Sequence, residues 1–420
     1  MDRDGASPPL RVTDASGMSA SSSAPRRGEC VVLESEVGGD FVVISRSSVS
    51  NEARVVRVCG ATGRLLVGSV SRVDVFGSVD DACDALRARG YAREVVRGAA
   101  ALGYATLGDV ACVLVAKKVH VAATLPTGDE VLQVRESVWV KIPLRNVCAA
   151  LSREERANAQ SLFEFSVDGT HFYCETFDVS RPFPYGNAKS GLNSPDREWV
   201  WNAALAAPLR ATNIAGICPT LIQGLVEQRE LRDANDKTFH LCIFGKRSSL
   251  HPGTRYLARG LNEIGAPGNE VEMEQLVWCE VGDGSESSDA ERMSSDSASR
   301  VDGKVWSWSS YVWRRGSVPI SWAQEIKQAY GEAEIQVSKD NPYRGTSTYF
   351  SRLLNAYRAR PGVSSADRQS FPVTCVNLLR CAPGKPELLL SEHFHEAIRG
   401  VRQRNGLSDI SVLNFDWHSN

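Results

Sequence analysis

The chain has 420 residues, of which 42% are hydrophobic and 23% charged, a composition typical of globular domains. Its formal net charge of -2 argues against a general nucleic-acid-binding function, which needs a broad basic face. Its 11 cysteines include no C-x-x-C pair, so their scattered spacing predicts reduced thiols rather than a disulfide framework. The longest apolar runs, such as residues 110–116, are too short to span a bilayer. We therefore predict a cytoplasmic protein that is at most peripheral to membranes.

The first part of the chain has mostly β patterning. Residues 1–27 are rich in Ser, Ala, Gly and Pro and predict a disordered tail, because they hold too little apolar surface to order themselves. From residue 28 to about 150, short Val-rich runs alternate with turn residues and predict a β-rich N-terminal subdomain. One helical pattern interrupts these strands, "VDDACDALRARG" at 79–90.

Residues 151–420 mix helical and strand patterns, which predicts a second, α/β subdomain. Ser152 and Glu155 have the spacing of a capping box, so a helix is expected from 152 to 162. Strand patterns such as "TRYLARGLN" (254–262) alternate with further helical patterns without strict βαβ regularity; these helical patterns lie at 197–209, 323–333, 346–358 and 389–404. The fold class predicted for the whole chain is mixed α/β.

An acidic, Ser-rich stretch at 282–303 lies between two strand patterns of this second subdomain. It holds six acids and almost no apolar residues, so we predict a disordered surface insertion rather than a domain linker.

One cationic segment is a candidate binding site for a phosphorylated substrate. Residues 238–262 contain no carboxylate, although acids outnumber bases in the chain as a whole. A second basic pair precedes Gly316, and the six candidate substrate-binding residues are Lys246, Arg247, Arg255, Arg259, Arg314 and Arg315. Arginine grips phosphate oxygens with two parallel hydrogen bonds, and the neighbouring glycines allow a ligand to approach the backbone closely.

Arginine also forms forked contacts with carboxylates, and this structural alternative remains open. The acids that could pair with Arg255 and Arg259 follow in the sequence: Glu263, Glu270, Glu272 and Glu274. Near the end of the sequence, "NFDWH" supplies Asp416 and His418, which could support a catalytic loop or end a strand with structural hydrogen bonds. His393 and His395 are two residues apart in a helical pattern and point in different directions, so no metal site is predicted.

The ordered set of motifs resembles the Sac-domain family of phosphoinositide phosphatases, and is most similar to its long plant members. The matching stretches include "FYCETFDVSRPFP" (172–184), "HPGTRYLARG" (251–260), "NEVEMEQ" (269–275), "VNLLR" (376–380) and "NFDWH" (414–418). The resemblance implies an N-terminal subdomain and a catalytic subdomain, phosphoinositide lipids at a membrane surface as substrates, and no metal or other cofactor. Members of this family remove phosphates through a C-x5-R loop, whose thiolate attacks phosphorus and forms a phosphocysteine.

The family's C-x5-R loop lies downstream of the strand that matches "NFDWH", and the sequence ends at Asn420. Its C-x5-R spacing occurs once, from Cys83 to Arg89, within a pattern that predicts a helix whose amides cannot cup a phosphate. We therefore expect the catalytic subdomain to be incomplete in these residues, and the 420-residue chain to be inactive alone. The alternative is a catalytically dead Sac module that binds anionic phosphoinositides.

Overall fold

A computed structural model confirms the predicted mixed α/β fold. It describes residues 11–13, 27–50, 52–68, 74–146, 152–185, 196–214, 216–254, 257–281, 298–301, 304–325, 334–358, 372–405 and 410–415. The helices described are α1 (Val79–Arg87), α2 (Arg153–Glu164), α3 (Ala203–Arg210), α4 (Thr346–Arg358) and α5 (Glu387–Asn405). The first ten strands are β1 (Arg11–Thr13), β2 (Glu29–Glu34), β3 (Phe41–Arg46), β4 (Ala53–Val58), β5 (Leu65–Leu66), β6 (Val75–Phe76), β7 (Arg93–Gly98), β8 (Ala100–Leu107), β9 (Val110–Thr124) and β10 (Glu130–Pro143). The next ten are β11 (His171–Tyr173), β12 (Ile222–Arg232), β13 (Thr238–Arg247), β14 (Val271–Val281), β15 (Ala298–Val301), β16 (Lys304–Arg315), β17 (Trp322–Glu325), β18 (Glu334–Val337), β19 (Val373–Asn377) and β20 (Ile410–Asn414).

The chain packs into two compact units, each made of two separate segments. The first unit comprises Met1–Lys246 and Glu274–Val312, and the second comprises Arg247–Met273 and Trp313–Asn420. The subdomain boundary predicted near residue 150 does not coincide with this division. Strands β10 and β11, which lie on either side of residue 150, pair with each other in one sheet of the first unit. The boundary at 150 stays a proposal.

The first unit contains a six-stranded sheet in the order β5-β4-β3-β2-β7, with β6 beside β4. Alternate residues of β2 enter two different cores because successive side chains of a strand point to opposite faces. Val31 and Leu33 pack with α1, whereas Cys30 and Val32 pack with residues of β8, β9 and α3. Burial on both faces explains why this strand is almost wholly apolar.

A larger sheet of ten strands runs in the order β15-β16-β14-β13-β12-β11-β10-β9-β8, with β1 paired to β12. Its long hairpin of β9 and β10 carries a buried apolar face made by residues such as Val113, Val115 and Ile142. Tyr173 and Leu221 belong to a core on the other side of the hairpin. Strands of the predicted catalytic subdomain, such as β11 to β14, therefore belong to a sheet that also contains β8 to β10 from the predicted N-terminal subdomain.

The second unit contains a parallel pair, β19 and β20, connected through α5. The core of this βαβ arrangement also includes α4; its residues include Tyr349, Phe350 and Leu353 from α4 and Phe394 and Ile398 from α5. A separate antiparallel pair joins β17 and β18. Parallel strands place their carboxyl ends at the same edge, so residues that end β19 and β20 lie side by side.

Local sequence signals with a clear mechanism are confirmed. Ser152 and Glu155 form the predicted capping box: the Ser152 hydroxyl accepts from the Glu155 amide, and the Glu155 carboxylate accepts from the Ser152 amide. The helix predicted at 346–358 has those bounds in the structure, and the helix predicted at 389–404 extends from Glu387 to Asn405.

Two predicted elements are wrong. The helix expected at 323–333 begins as strand β17, whose Ala323 pairs with Gln336 of β18; residues 326–333 lie outside the described residues. The strand expected at 254–262 is a turn in its described part, because the amides of Leu257 and Ala258 both donate to the Thr254 carbonyl. Arg259 therefore follows a turn rather than lying within a strand, and Arg255 lies outside the described residues.

The predicted disordered segments also need correction at their margins. Within the tail predicted at 1–27, Arg11–Thr13 form β1 and pair with β12. Within the insertion predicted at 282–303, Ala298–Val301 form β15 and pair with β16. Residues 282–297 of that insertion lie outside the described part of the chain.

Candidate functional site

The cationic segment begins with a lysine that is buried in the first unit. Lys246 lies near the end of β13 with only 1% of its surface exposed, and its Nζ donates to the Ser180 carbonyl at 3.4 Å. Lys246, a candidate substrate-binding residue, is therefore not part of an exposed surface. The acid-free sequence window could not reveal this burial, because the burying contact comes from a segment more than sixty residues earlier.

Arg247 has a structural contact within the second unit. Its Nη2 donates to the Asn269 Oδ1 at 2.7 Å and to the Gly253 carbonyl at 3.0 Å. The Gly253 amide donates to the same Asn269 oxygen. Arg247 and Asn269 thus close the loop that carries "SSLHPG" and fix the backbone immediately before Arg255, which itself lies outside the described residues.

Arg259 is held by neighbours from β17. Its guanidinium carbon lies 5.5 Å from the centre of the Trp322 ring, and its Nε donates to the Gln324 Oε1 at 3.1 Å. Gly260 follows in the left-handed region, with a φ of 61°. Its amide donates to the Ser317 hydroxyl at 2.8 Å. The "ARG" sequence is therefore a tight turn against β17.

Arg314 is buried in a cluster of acids and tyrosines, which we call the Arg314 cluster: Glu270, Glu272, Arg314, Tyr349 and Tyr357. Arg314 lies 3.6 Å from a Glu270 oxygen and 3.3 Å from a Glu272 oxygen, and both carboxylate side chains are 1% exposed. The hydroxyl of Tyr349 donates to Glu270, and that of Tyr357 donates to Glu272. Arg314 is thus paired with carboxylates, an arrangement that the sequence analysis considered for Arg255 and Arg259 only.

The two remaining acids have other environments. Glu263 is exposed, whereas Glu274 is buried in the first unit, where it accepts from the Phe183 amide and the Ser310 hydroxyl. Arg315 is exposed at the end of β16 and forms no ion pair with another described residue. The described surroundings of Arg315 therefore leave its charge available to a substrate.

The described cysteines differ in environment, and burial raises the pKa of most of those that shift. Burial raises the pKa of Cys83, which is a core residue of α1 with its side chain packed against β2 to β4. Hydrogen bonds from the Thr62 side chain and the Ala61 backbone lower the pKa of Cys59, which lies in the turn after β4. Six residues after Cys59 the chain has Leu65 rather than an arginine. Cys83 does have Arg89 at that distance, but Cys83 lies within a helix and not in a loop.

The carboxyl edge of β19 and β20 holds a polar cluster that the sequence reasoning missed. Asn377 ends β19 beside Asn414, which ends β20, and donates from Nδ2 to the Asn414 Oδ1 at 3.0 Å. The same Nδ2 donates to the Ser391 hydroxyl of α5 at 2.8 Å. An asparagine at the end of an apolar strand, in "VNLL", was the available signal. Asp416 and His418 lie outside the described residues.

The motif residues described above thus lie on a mixed α/β fold that contains a parallel βαβ unit. A sequence model of the SacI homology domain matches residues 99–420. The chain belongs to the SacI homology domain family, as its motifs predicted.

Curated relatives carry names that refer to inositol-lipid phosphatases. The chain is 27% identical over 300 residues to phosphoinositide phosphatase SAC2 of Arabidopsis thaliana, covering 69% of this chain and 33% of that protein. It is 27% identical over 302 residues to phosphatidylinositol-3-phosphatase SAC1 of the same plant, covering 69% and 29%. It is 29% identical over 256 residues to the polyphosphoinositide phosphatase of Schizosaccharomyces pombe, covering 59% and 28%. The chain therefore spans about a third of the length of these relatives or slightly less.

Among the described helices, none combines the length and the apolar character needed to cross a membrane.

Proposed function

We propose that this chain is part of a phosphoinositide phosphatase that hydrolyses phosphomonoesters of inositol lipids at a membrane surface. The observation that carries the proposal is the family match over residues 99–420, together with relatives named as phosphoinositide phosphatases. The substrate's phosphates are anionic, and the exposed Arg315 with Arg255 and Arg259 supplies cations in the matching motifs. The burial of Lys246 and the pairing of Arg314 remove these two residues from the proposed contact surface.

The proposed chemistry is nucleophilic attack on phosphorus by a cysteine thiolate in a C-x5-R loop. Its backbone amides and arginine would hold the phosphate oxygens, and water would then release phosphate from the phosphocysteine. Within residues 1–420, Cys83 and Arg89 have this spacing, but Cys83 is fully buried in α1 and burial raises its pKa. We propose that the nucleophile loop belongs to the longer protein, downstream of β20.

The test is phosphate release from mono- and bisphosphorylated inositol lipids. Residues 1–420 alone should show none, whereas the chain extended through its downstream reading frame should hydrolyse these lipids. Cys83→Ser and Cys59→Ser in the extended chain should leave hydrolysis unchanged. Activity of residues 1–420 that disappears in either serine variant would contradict the proposed nucleophile. Lipid binding without hydrolysis in the extended chain would favour the inactive binding module.

Charge reversal tests the proposed lipid contact. Arg255→Glu combined with Arg315→Glu should weaken binding to phosphoinositide-containing vesicles more than tenfold, because a basic side chain near an anionic surface contributes about 1 kcal/mol. Binding of the parent should also weaken as salt is added. Lys339→Glu is the matched control, since Lys339 is an exposed cation of the second unit outside the motif.

Vesicle cosedimentation at several salt concentrations measures both effects, and a thermal unfolding scan shows that each variant is folded. Equal binding by the double variant and by Lys339→Glu would show that these arginines do not contact the lipid.

A further inference from the structure

Asn377 connects three elements at the carboxyl edge of the parallel pair. Its carbonyl accepts from the Phe415 amide at 2.9 Å, just past the end of β20. Its side-chain Nδ2 reaches both Asn414 and Ser391, and its Oδ1 accepts from the Leu379 amide at 3.2 Å. One residue thus contacts the exit of β20, the second turn of α5 and the turn after β19.

This hydrogen bonding is specific to an asparagine. The carboxamide has two N–H donors and a carbonyl acceptor, and all three are used here. Asn377 is 6% exposed and Ser391 is 4% exposed, so replacing the amide with an apolar group leaves buried partners without a hydrogen bond. A core-packing role would need no such donors.

The location of Asn377 gives these contacts a consequence for reactivity. In open α/β sheets, ligands bind outside the carboxyl ends of the strands. The chain leaves β20 at this edge, and Asn377 holds that exit through both its backbone carbonyl and its side chain. Asn377 therefore holds the last two described residues, Asn414 and Phe415, by hydrogen bonds.

We propose that Asn377 is a positioning residue: its carboxamide fixes the direction in which the chain leaves β20 toward the nucleophile loop. This inference rests on the proposed phosphatase function. Asn377 does not touch the substrate; it acts through Asn414 and Phe415, whose placement sets where the following residues begin.

The test compares Asn377→Leu, which is similar in size, with the wild type in the full-length protein. The variant should lower kcat at least tenfold on phosphoinositide substrates while KM stays within twofold, because the hydrogen bonds of the Asn377 carboxamide do not take part in substrate binding. Val376→Thr, an exposed substitution on the same strand, should leave both constants unchanged. Asn377→Asp should recover part of kcat, because the Asn414 amide can turn and donate to the carboxylate.

A second variant protects the test against misfolding. Asn414→Leu changes an exposed partner of Asn377 and should reproduce the loss of kcat. The double variant should have no lower kcat than Asn377→Leu, because both substitutions remove the same Asn377–Asn414 hydrogen bond. Hydrogen exchange at residues 410–415 should accelerate in both single variants.

The outcomes separate the two proposals. No hydrolysis by the wild-type full-length protein would overturn the proposed function and this inference with it. Hydrolysis by the wild type with unchanged kcat in Asn377→Leu would overturn the inference alone. A lower kcat together with a higher KM and a lower thermal stability in Asn377→Leu, with no recovery in Asn377→Asp, would show that Asn377 only supports the fold.

Discussion

Arg314→Leu should destabilise the second unit by about 3–5 kcal/mol, because it leaves two buried carboxylates without their shared cation. The Glu270 and Glu272 side chains are 1% exposed and lie 3.6 Å and 3.3 Å from Arg314, so water cannot replace the lost charge. The hydrogen bonds from Tyr349 and Tyr357 remain but carry no net charge. The loss is measured by denaturant unfolding followed through hydrogen exchange of α4, which lies in the same unit.

The neighbouring Arg315 provides a matched control for this prediction. Arg315→Leu removes the same charge from an exposed position and should change stability by less than about 0.5 kcal/mol. Combining Arg314→Leu with Glu270→Gln and Glu272→Gln should recover part of the loss, because the two buried negative charges that face Arg314 are removed with it. If Arg314→Leu is no more harmful than Arg315→Leu, the Arg314 cluster is not desolvated and the prediction is wrong.

Gly260→Ala should destabilise the second unit by more than about 2 kcal/mol, because both the backbone and the space around it exclude a side chain. The φ of Gly260 is 61°, a left-handed conformation that costs other residues about 1–2 kcal/mol. An added Cβ would also lie 2.7 Å from the main-chain oxygens of Ile320 and Trp322. Backbone atoms of that segment must then move, which disturbs the contact between Arg259 and Trp322.

Gly384→Ala separates the two causes. Gly384 also has a positive φ, 83°, but an added Cβ there meets nothing within 4 Å. This control should cost only the conformational part, about 1–2 kcal/mol. Thermal unfolding of both variants measures the difference, and equal losses would show that the close approach at Gly260 relaxes without cost.

Features of the fold that depend on neighbouring residues in the sequence could be predicted, whereas those that depend on distant residues could not. Elements with a local mechanism were predictable, such as the capping box of Ser152 and Glu155 and the amphipathic helix at 346–358. The family could be identified from the same motifs, because they are specific in order and spacing. Local pattern could not predict the turn at Gly260, because its conformation depends on Ser317 and Trp322, which are distant in sequence.

The candidate site was predictable in composition but not in arrangement. An acid-free window identifies cations that are close in sequence, yet Lys246, Arg247 and Arg259 have three different sets of partners. Arg314 and Arg315 are adjacent, but one is buried against acids and the other is exposed, because successive residues of a strand face opposite sides. Asn377 was overlooked because its importance comes from contacts with α5 and β20.

The interleaving of the two units affects how the chain folds as it is synthesised. Each unit is built from two segments, and the first segment of the second unit, Arg247–Met273, lies between the two segments of the first. During N-to-C-terminal synthesis, Glu270 and Glu272 therefore emerge from the ribosome before Arg314, and remain hydrated until it arrives. No single cut in the polypeptide separates the units. A protease or a truncation that removes one of them also removes part of the other, so partial chains of this protein should be prone to misfolding.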